Sequence, residues 1–302
     1  MSLAANTNRR IEGGTMNTPN DLLPSSTVQV SAKRSVVHRT RGRRHGPITR
    51  LMSPSDLGEL LRPFVFLDHF DTASADATRM GLHPHSGIAT VTWIMEGNIS
   101  YEDTTGETGK VPQGGLEWMQ AGGGVWHGGG FGDSPRVRGF QLWVALPPEL
   151  ELGAAHSVYL KPDQIERDGP AAVLLGAYGT ASSQIPAPSP INYLSVSLRA
   201  GERWTYRPPA GHTVGWAAVS LGSLRSPEAL QAGELALFEE SNEAIDFHAE
   251  TDVEFVVGSA VKHPHDLVLG YYSVHTNAAA LREGEARIQQ IGSRLRSKGR
   301  LS

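Results

Sequence analysis

No cysteine occurs among the 302 residues. That excludes disulfides, thiolate metal sites and cysteine nucleophiles, and it fits a reducing, cytoplasmic setting. Charge is sparse and nearly balanced. Asp, Glu, Lys and Arg make up 19% of the chain and the formal net charge is -4, so nothing in the overall balance favours nucleic acid as a partner. Long apolar runs are also missing. Val91 to Met95 and Val214 to Leu221 fall well short of the roughly 20 residues a membrane span requires. The opening MSLAANTNRR lacks the apolar core of a secretory signal. No membrane partner is expected.

Glycine and proline are plentiful, at 34 and 19 residues, which favours many short strands joined by frequent turns. FVFLDHF, IATVTWIME, LEWMQA and VRGFQLWVAL are rich in β-branched and aromatic residues and read as strands. Ser53-Pro54-Ser55-Asp56 reads as a helix start with Ser53 as cap, the helix ending near Leu61. Pro147-Pro148 marks a boundary, and the second half repeats the first in outline. TVTWIMEGNI, from Thr90, has its counterpart in TVGWAAVSLGSL, from Thr213, and GGLEWM in GELALF. A closing helix is expected from about Ala278 to Leu295, capped by Thr276 or Asn277, with Leu281, Ile288, Ile291 and Leu295 on one face. The expected organisation is a disordered tail over residues 1–27, a first barrel domain over 28–148 and a second over 149–302 that ends in the helix. Met16, inside the tail, is an alternative start. The cluster Arg39, Arg41, Arg43, Arg44 and Arg50 reads as a solvated edge, because no aromatic residues interleave it.

The chemistry is concentrated in His83-Pro84-His85. On a strand, residues two apart face the same side, so both imidazoles can reach one metal. His127 follows the flexible Gly122-Gly123-Gly124 and is the third candidate ligand. Neutral imidazole suits Fe, Zn, Cu and Ni. The alternative is that these histidines are hydrogen-bonded core residues.

The stretch HPHSGIATVTWIMEGNISYEDTTGETGKVPQGGLEWMQAGGGVWH resembles the metal-binding core of the pirins, which are two-domain cupins. FVFLDHF before it, GFQLWVAL after it and VLGYYSVHTNAAALREGEARI near the end extend the likeness over about Val36 to Ile291. The resemblance implies an all-β fold of two tandem cupin (double-stranded β-helix) barrels with a C-terminal helix. It implies His83, His85 and His127 as ligands of one metal in the first barrel, Fe(II) foremost, with Zn, Ni, Mn or Cu as other divalent candidates. It also points to a quercetinase-type dioxygenase activity on a small aromatic or enol substrate with dioxygen, or to a non-enzymatic regulatory module that binds a protein partner.

Two positions depart from the family pattern. Gly129 stands where the pirins carry a glutamate ligand, and Ala89 stands at the cupin glutamate position. A glutamate restored at 129 is expected to tighten metal binding. Gln141 matches a family glutamine near the metal. Glu117, where the family usually has glutamine, replaces the lost carboxylate if its side chain points inward and otherwise sits on the barrel surface, the reading a glutamate ordinarily favours. Gln141 and Glu117 are therefore the candidate catalytic residues. Glu102-Asp103 reads as a turn device. His263-Pro264-His265 repeats the His-x-His spacing where the family has no ligands, so no second metal is expected there. Trp93, Trp118, Trp126 and Trp143 either line a pocket for a flat substrate or pack the core.

Overall fold

The structure is a computed structural model, and it describes residues 34–73, 79–131 and 134–301. The expected disordered tail lies outside them. The strands form two large sheets of seven strands, each with a four-stranded companion. In the first large sheet the order is His156–Leu160, Leu116–Gln120, Ile88–Glu96, Arg136–Ala145, Phe64–Ala73, Ile48–Met52, Arg43–His45. Its companion runs Arg79–His85, Val125–Phe131, Asn98–Asp103, Thr108–Pro112. The second large sheet runs Val36–Thr40, Leu235–Phe238, Val214–Leu221, Val253–Ala260, Ile191–Leu198, Ala171–Leu175, Arg167–Asp168. Its companion joins Arg203–Tyr206, Ile245–Ala249, Ser223–Ser226 and Glu228–Gln231. These are two cupin barrels of one plan. Ile88–Glu96 and Val214–Leu221, the strands of the repeated sequence, occupy the same place in their sheets.

The sheets cross the expected boundary at 148 in both directions. Val36–Thr40 pairs with Leu235–Phe238 of the second barrel, and His156–Leu160 pairs with Leu116–Gln120 of the first. Each barrel thus takes its edge strand from the segment that leads into the other, which covers an otherwise open sheet edge. The large sheets also share a core. Ala89, Val91, Trp93, Trp118, Phe140 and Leu142 of the first pack with Tyr193, Trp216, Ala218 and Val256 of the second. The Phe64 and Trp216 rings meet edge-on at 5.4 Å. This explains why Ile88–Glu96 is buried over most of its length and shows little apolar–polar alternation. One face lies in this shared core and the other in the barrel.

The first helix is short, Leu57–Leu61. Its cap is Asp56, whose carboxylate accepts from the Leu57 and Ser53 amides, and not Ser53. The Ser53 carbonyl instead accepts from the amides of Asp56 and Gly58. The closing helix spans Ala278–Ser297 and is capped by Asn277, whose side chain accepts from the amides of Ala279 and Ala280. It packs on the first barrel, where Trp126 Nε1 donates to the Ile288 carbonyl at 2.8 Å. Its buried residues are Ala280, Gly284, Ile288, Gly292 and Leu295. Of the expected apolar face, Ile288 and Leu295 are buried and Leu281 and Ile291 half-buried, and glycines join it at the closest approaches. A Cβ at Gly284 would lie 2.5 Å from the His275 ring and 2.6 Å from Ser86 Oγ. Arg39, Arg41, Arg43 and Arg44 are exposed, as a solvated edge requires, whereas Arg50 is half-buried on Asp68. No helix among the described residues is long and apolar enough to cross a membrane.

Candidate metal centre

His83 and His85 end the strand Arg79–His85, and His127 lies in the adjacent antiparallel strand Val125–Phe131, directly opposite His83. The pairing brings the three rings together with centroids 4.4–5.0 Å apart. One ligand atom from each lies within 4.8 Å of the others, and this is the only such group of His, Cys, Asp and Glu side chains among the described residues. The ring nitrogens are already sorted. His83 Nδ1 donates to the Gly81 carbonyl at 3.0 Å, and His85 Nδ1 donates to the Tyr272 carbonyl at 3.1 Å. In each ring Nε2 is left as the lone-pair donor. The Nε2 atoms of His85 and His127 are buried and have no hydrogen-bond partner. Burial holds all three imidazoles neutral. It pushes His85 down to about 3 and His127 well below the usual histidine range, and the neighbouring histidines add to the effect. Two orphaned buried nitrogens beside a third free one, all in the ligating protonation state, fit a borderline divalent metal.

The carboxylate positions behave differently. Gly129 follows a break in register after His127, and its backbone lies hard against the next strand. A Cβ there would sit 2.1 Å from the Ser100 carbonyl oxygen. No side chain fits without moving backbone, so the expected gain in metal binding from a glutamate at 129 does not follow. Ala89 is fully buried in the core shared with the second barrel, on the face opposite Thr92. A glutamate there would point away from the centre.

A cavity runs from His83 and His127 into the first barrel. One wall is a transverse row of directly opposed residues: Glu117 faces Thr92, Thr92 faces Gln141, and Gln141 faces Asp68. All four line the cavity, together with apolar Ile48 and Phe70 of the same sheet and Ile99 and Phe131 of the companion sheet. Glu117 is only 4% exposed, which overturns the surface reading favoured by its residue type. Its carboxyl is hydrogen-bonded with Thr92, and burial pushes it up to about 7, with a further rise from Asp103. Gln141 Nε2 reaches Thr92 Oγ1 at 3.5 Å. Asp68 is taken up by Arg50, through Nε at 2.5 Å and Nη2 at 3.1 Å. Glu117 lines the cavity but does not join the group of ligand atoms.

The remaining candidates have structural roles. Asp103 accepts from the Thr105 amide and hydroxyl, the Glu107 amide and the hydroxyls of Ser157 and Tyr159, so it is the expected turn device. Glu102 is paired with Arg300. His263 Nδ1 faces the backbone of His265, and the pair belongs to no metal-ligand group among the described residues. The four tryptophans do not line the cavity. Trp93 donates to Ser195, Trp118 is fully buried, Trp126 holds the helix and Trp143 stacks on Phe66 at 4.0 Å.

Sequence reasoning missed Thr92 and Asp68, whose signal was a polar residue inside an otherwise apolar strand. It also missed Tyr272, which contributes through its backbone. Tyr272 sits in the two-residue turn between Val268–Gly270 and Ser273–His275, with φ of 55°, the one non-glycine residue among those described in the left-handed region. The segment is pinned by Glu151, which accepts from the Thr276 amide and hydroxyl, both at 2.7 Å, and from His275 Nδ1 at 3.1 Å. Ser86, next to His85, bonds both Ser273 and His275. Ser86, His275 and Glu151 are aligned like a serine-hydrolase relay but are all fully buried, so the arrangement serves as a clamp.

The family model described as Pirin matches residues 45–144. A Pseudomonas aeruginosa protein that carries the provisional name quercetin 2,3-dioxygenase is 28% identical over 243 residues, which is 74% of this chain and 84% of that protein. Among solved structures, a quercetin 2,3-dioxygenase from Acinetobacter baumannii superposes with a TM-score of 0.76 at 24% identity, over 84% of this chain and 96% of that one. A bacterial pirin from Escherichia coli in complex with nickel(II) gives a TM-score of 0.60 at 19% identity, over 76% of this chain and 98% of that one. Both structural likenesses are of fold.

Proposed function

We propose that this chain, whose residues 45–144 match the Pirin family model, is a metal-dependent, quercetinase-type dioxygenase acting on a small hydroxylated aromatic or enol at His83, His85 and His127. The observation that carries the reading is the pair of orphaned, buried Nε2 atoms on His85 and His127, in a cluster whose His83 and His127 line the cavity. A ligand set of three neutral imidazoles leaves coordination positions vacant, and iron(II), when bound, would supply Lewis acidity and a site for dioxygen. The names of the Pseudomonas and Acinetobacter proteins support a flavonol-like substrate, and the nickel-bound Escherichia pirin supports a divalent metal without selecting iron. Gln141 presents its side chain to the cavity and positions a substrate oxygen, while the apolar lining holds a flat ring and limits water. Cysteine-free composition suits a cytoplasmic location.

One observation favours the second reading, a regulatory module that binds a protein partner: neither 129 nor 89 can offer the family's carboxylate. Anaerobic loading with iron(II), followed by elemental analysis and oxygen-electrode measurements with a flavonol, separates the two. About one metal per chain and flavonol-dependent oxygen uptake support the enzyme. Full metal loading with no uptake supports the regulator.

A further inference from the structure

We propose that Glu117 is the proton acceptor for a weakly acidic hydroxyl of the substrate. The proposal rests on the metal-dependent reading above and assigns a role that the three histidines cannot fill.

Glu117, Thr92, Gln141 and Asp68 form one cross-strand row. Cross-strand partners on one sheet face project to the same side, so four polar groups stand in line along one wall of an otherwise apolar chamber. Each group but one is spoken for. Asp68 is neutralised by two bonds from Arg50. Gln141 has no acidic proton and no basic site. Thr92 is shared between Gln141 and Glu117. His83 and His85 have committed Nδ1 to carbonyls, which leaves Nε2 for a metal. Asp103 lies outside the cavity lining and has five donors on it. Glu117 remains, with Thr92 as its hydrogen-bond partner and spare lone pairs toward the chamber.

The surroundings set its basicity. Tyr159 is opposite Glu117 on the outer strand, Asp103 and Tyr101 face it from Asn98–Asp103, and Asp68, His83 and His127 line the same chamber. Among the described residues no free cation lines it. Burial and Asp103 therefore hold the carboxyl near neutrality, where it is part ionised and able both to take and to return a proton. In the transfer, the substrate O–H bond breaks, its electron pair stays on the substrate oxygen, and the proton moves to Glu117. A neutral hydroxyl thereby gains an acceptor inside the chamber.

The test uses the zinc-loaded, redox-inert protein and 3-hydroxyflavone, whose anion absorbs at longer wavelength than its neutral form. At a pH above 7, where Glu117 is largely ionised, the wild type is expected to bind it as the anion with little net proton release, as read by calorimetry in two buffers of different ionisation enthalpy. Glu117→Gln is expected to take up one zinc like the wild type. It should either bind the probe in its neutral form or release one proton to the buffer, and it should weaken binding by about 10²-fold. The same spectrum and the same proton count in Glu117→Gln overturn the proposal, as does neutral probe in the wild type. If neither protein takes up zinc, the metal reading fails by itself. The probe titrated into metal-free protein then still decides Glu117, because anion in wild type but not in Glu117→Gln supports the proposal and its absence from both overturns it.

Discussion

His127 stands directly opposite His83 in the antiparallel pairing of their strands, so the first barrel's two ligand-bearing segments are locked in register by backbone hydrogen bonds before any metal enters. The register slips immediately afterwards, before Gly129, and that slip decides what the next position can carry.

Gly129→Ala is expected to lower stability by about 1–3 kcal/mol, because its Cβ meets the Ser100 carbonyl. Gly129→Glu should lose at least as much and gain no metal affinity. Urea denaturation and zinc calorimetry on the three proteins provide the check. A tighter zinc complex in Gly129→Glu would show that the strand relaxes enough to restore the family's fourth ligand.

The segment around Tyr272 orients His85 only while Glu151 holds it. Glu151→Gln removes one of the acceptor oxygens that take the Thr276 and His275 donors. Zinc affinity should fall roughly 10–100-fold, the usual effect of losing a ligand's outer support. Competition with a chromogenic chelator measures it, and an unchanged affinity would show that Tyr272 stays in place without the clamp.

Arg138 ties the barrels together. It is 5% exposed and reaches Glu254 at 2.7 Å and Ser220 at 2.8 Å on the second barrel, and Glu96 at 3.4 Å on the first. Arg138→Ala strands Glu254 and should cost about 2 kcal/mol, less than a fully buried pair because Glu254 is partly exposed. The loss should appear in the urea midpoint and shrink in Arg138→Ala/Glu254→Gln.

His69 supplies a pH dependence remote from the metal ligands. Its Nε2 lies 3.0 Å from Ser220 Oγ, and burial lowers it from 6.5 to about 4, with Asp71 opposing and Arg138 and Arg136 assisting the fall. Below pH 6.5 the unfolded chain takes up a proton that the folded chain refuses, so this contribution is intact above pH 6.5 and is lost as pH falls toward 4. The slope from this group approaches about 1.4 kcal/mol per pH unit. In His69→Gln the stability of metal-free protein should fall less between pH 6.5 and 4, and an identical profile would refute the assignment.

The fold was legible because barrel strands carry their own signals. Thr90 to Ile99 and Thr213 to Leu224 repeat, and both land on corresponding strands. His83 and His85 were legible from spacing two apart. The direction of Glu117 was not, since Leu116–Gln120 is buried throughout and has no alternation to mark its inner face. The crossing edge strands were hidden because pairing partners such as Val36 and Phe238 are joined by topology and share no local pattern. Tyr272 was invisible for another reason: it acts through a carbonyl, a group every residue possesses.

That carbonyl has a biosynthetic consequence. His85 and Tyr272 are 187 positions apart in sequence. A ribosome adds on the order of 5–20 residues per second, so the three histidines are made many seconds before the segment that aims one of them. The nascent first barrel holds its imidazoles without that support, and the second barrel must emerge and its closing hairpin fold back before His85 is fixed. Tight metal acquisition is therefore an event of the finished polypeptide, and a ribosome stalled before Thr276 should carry a chain that captures zinc weakly.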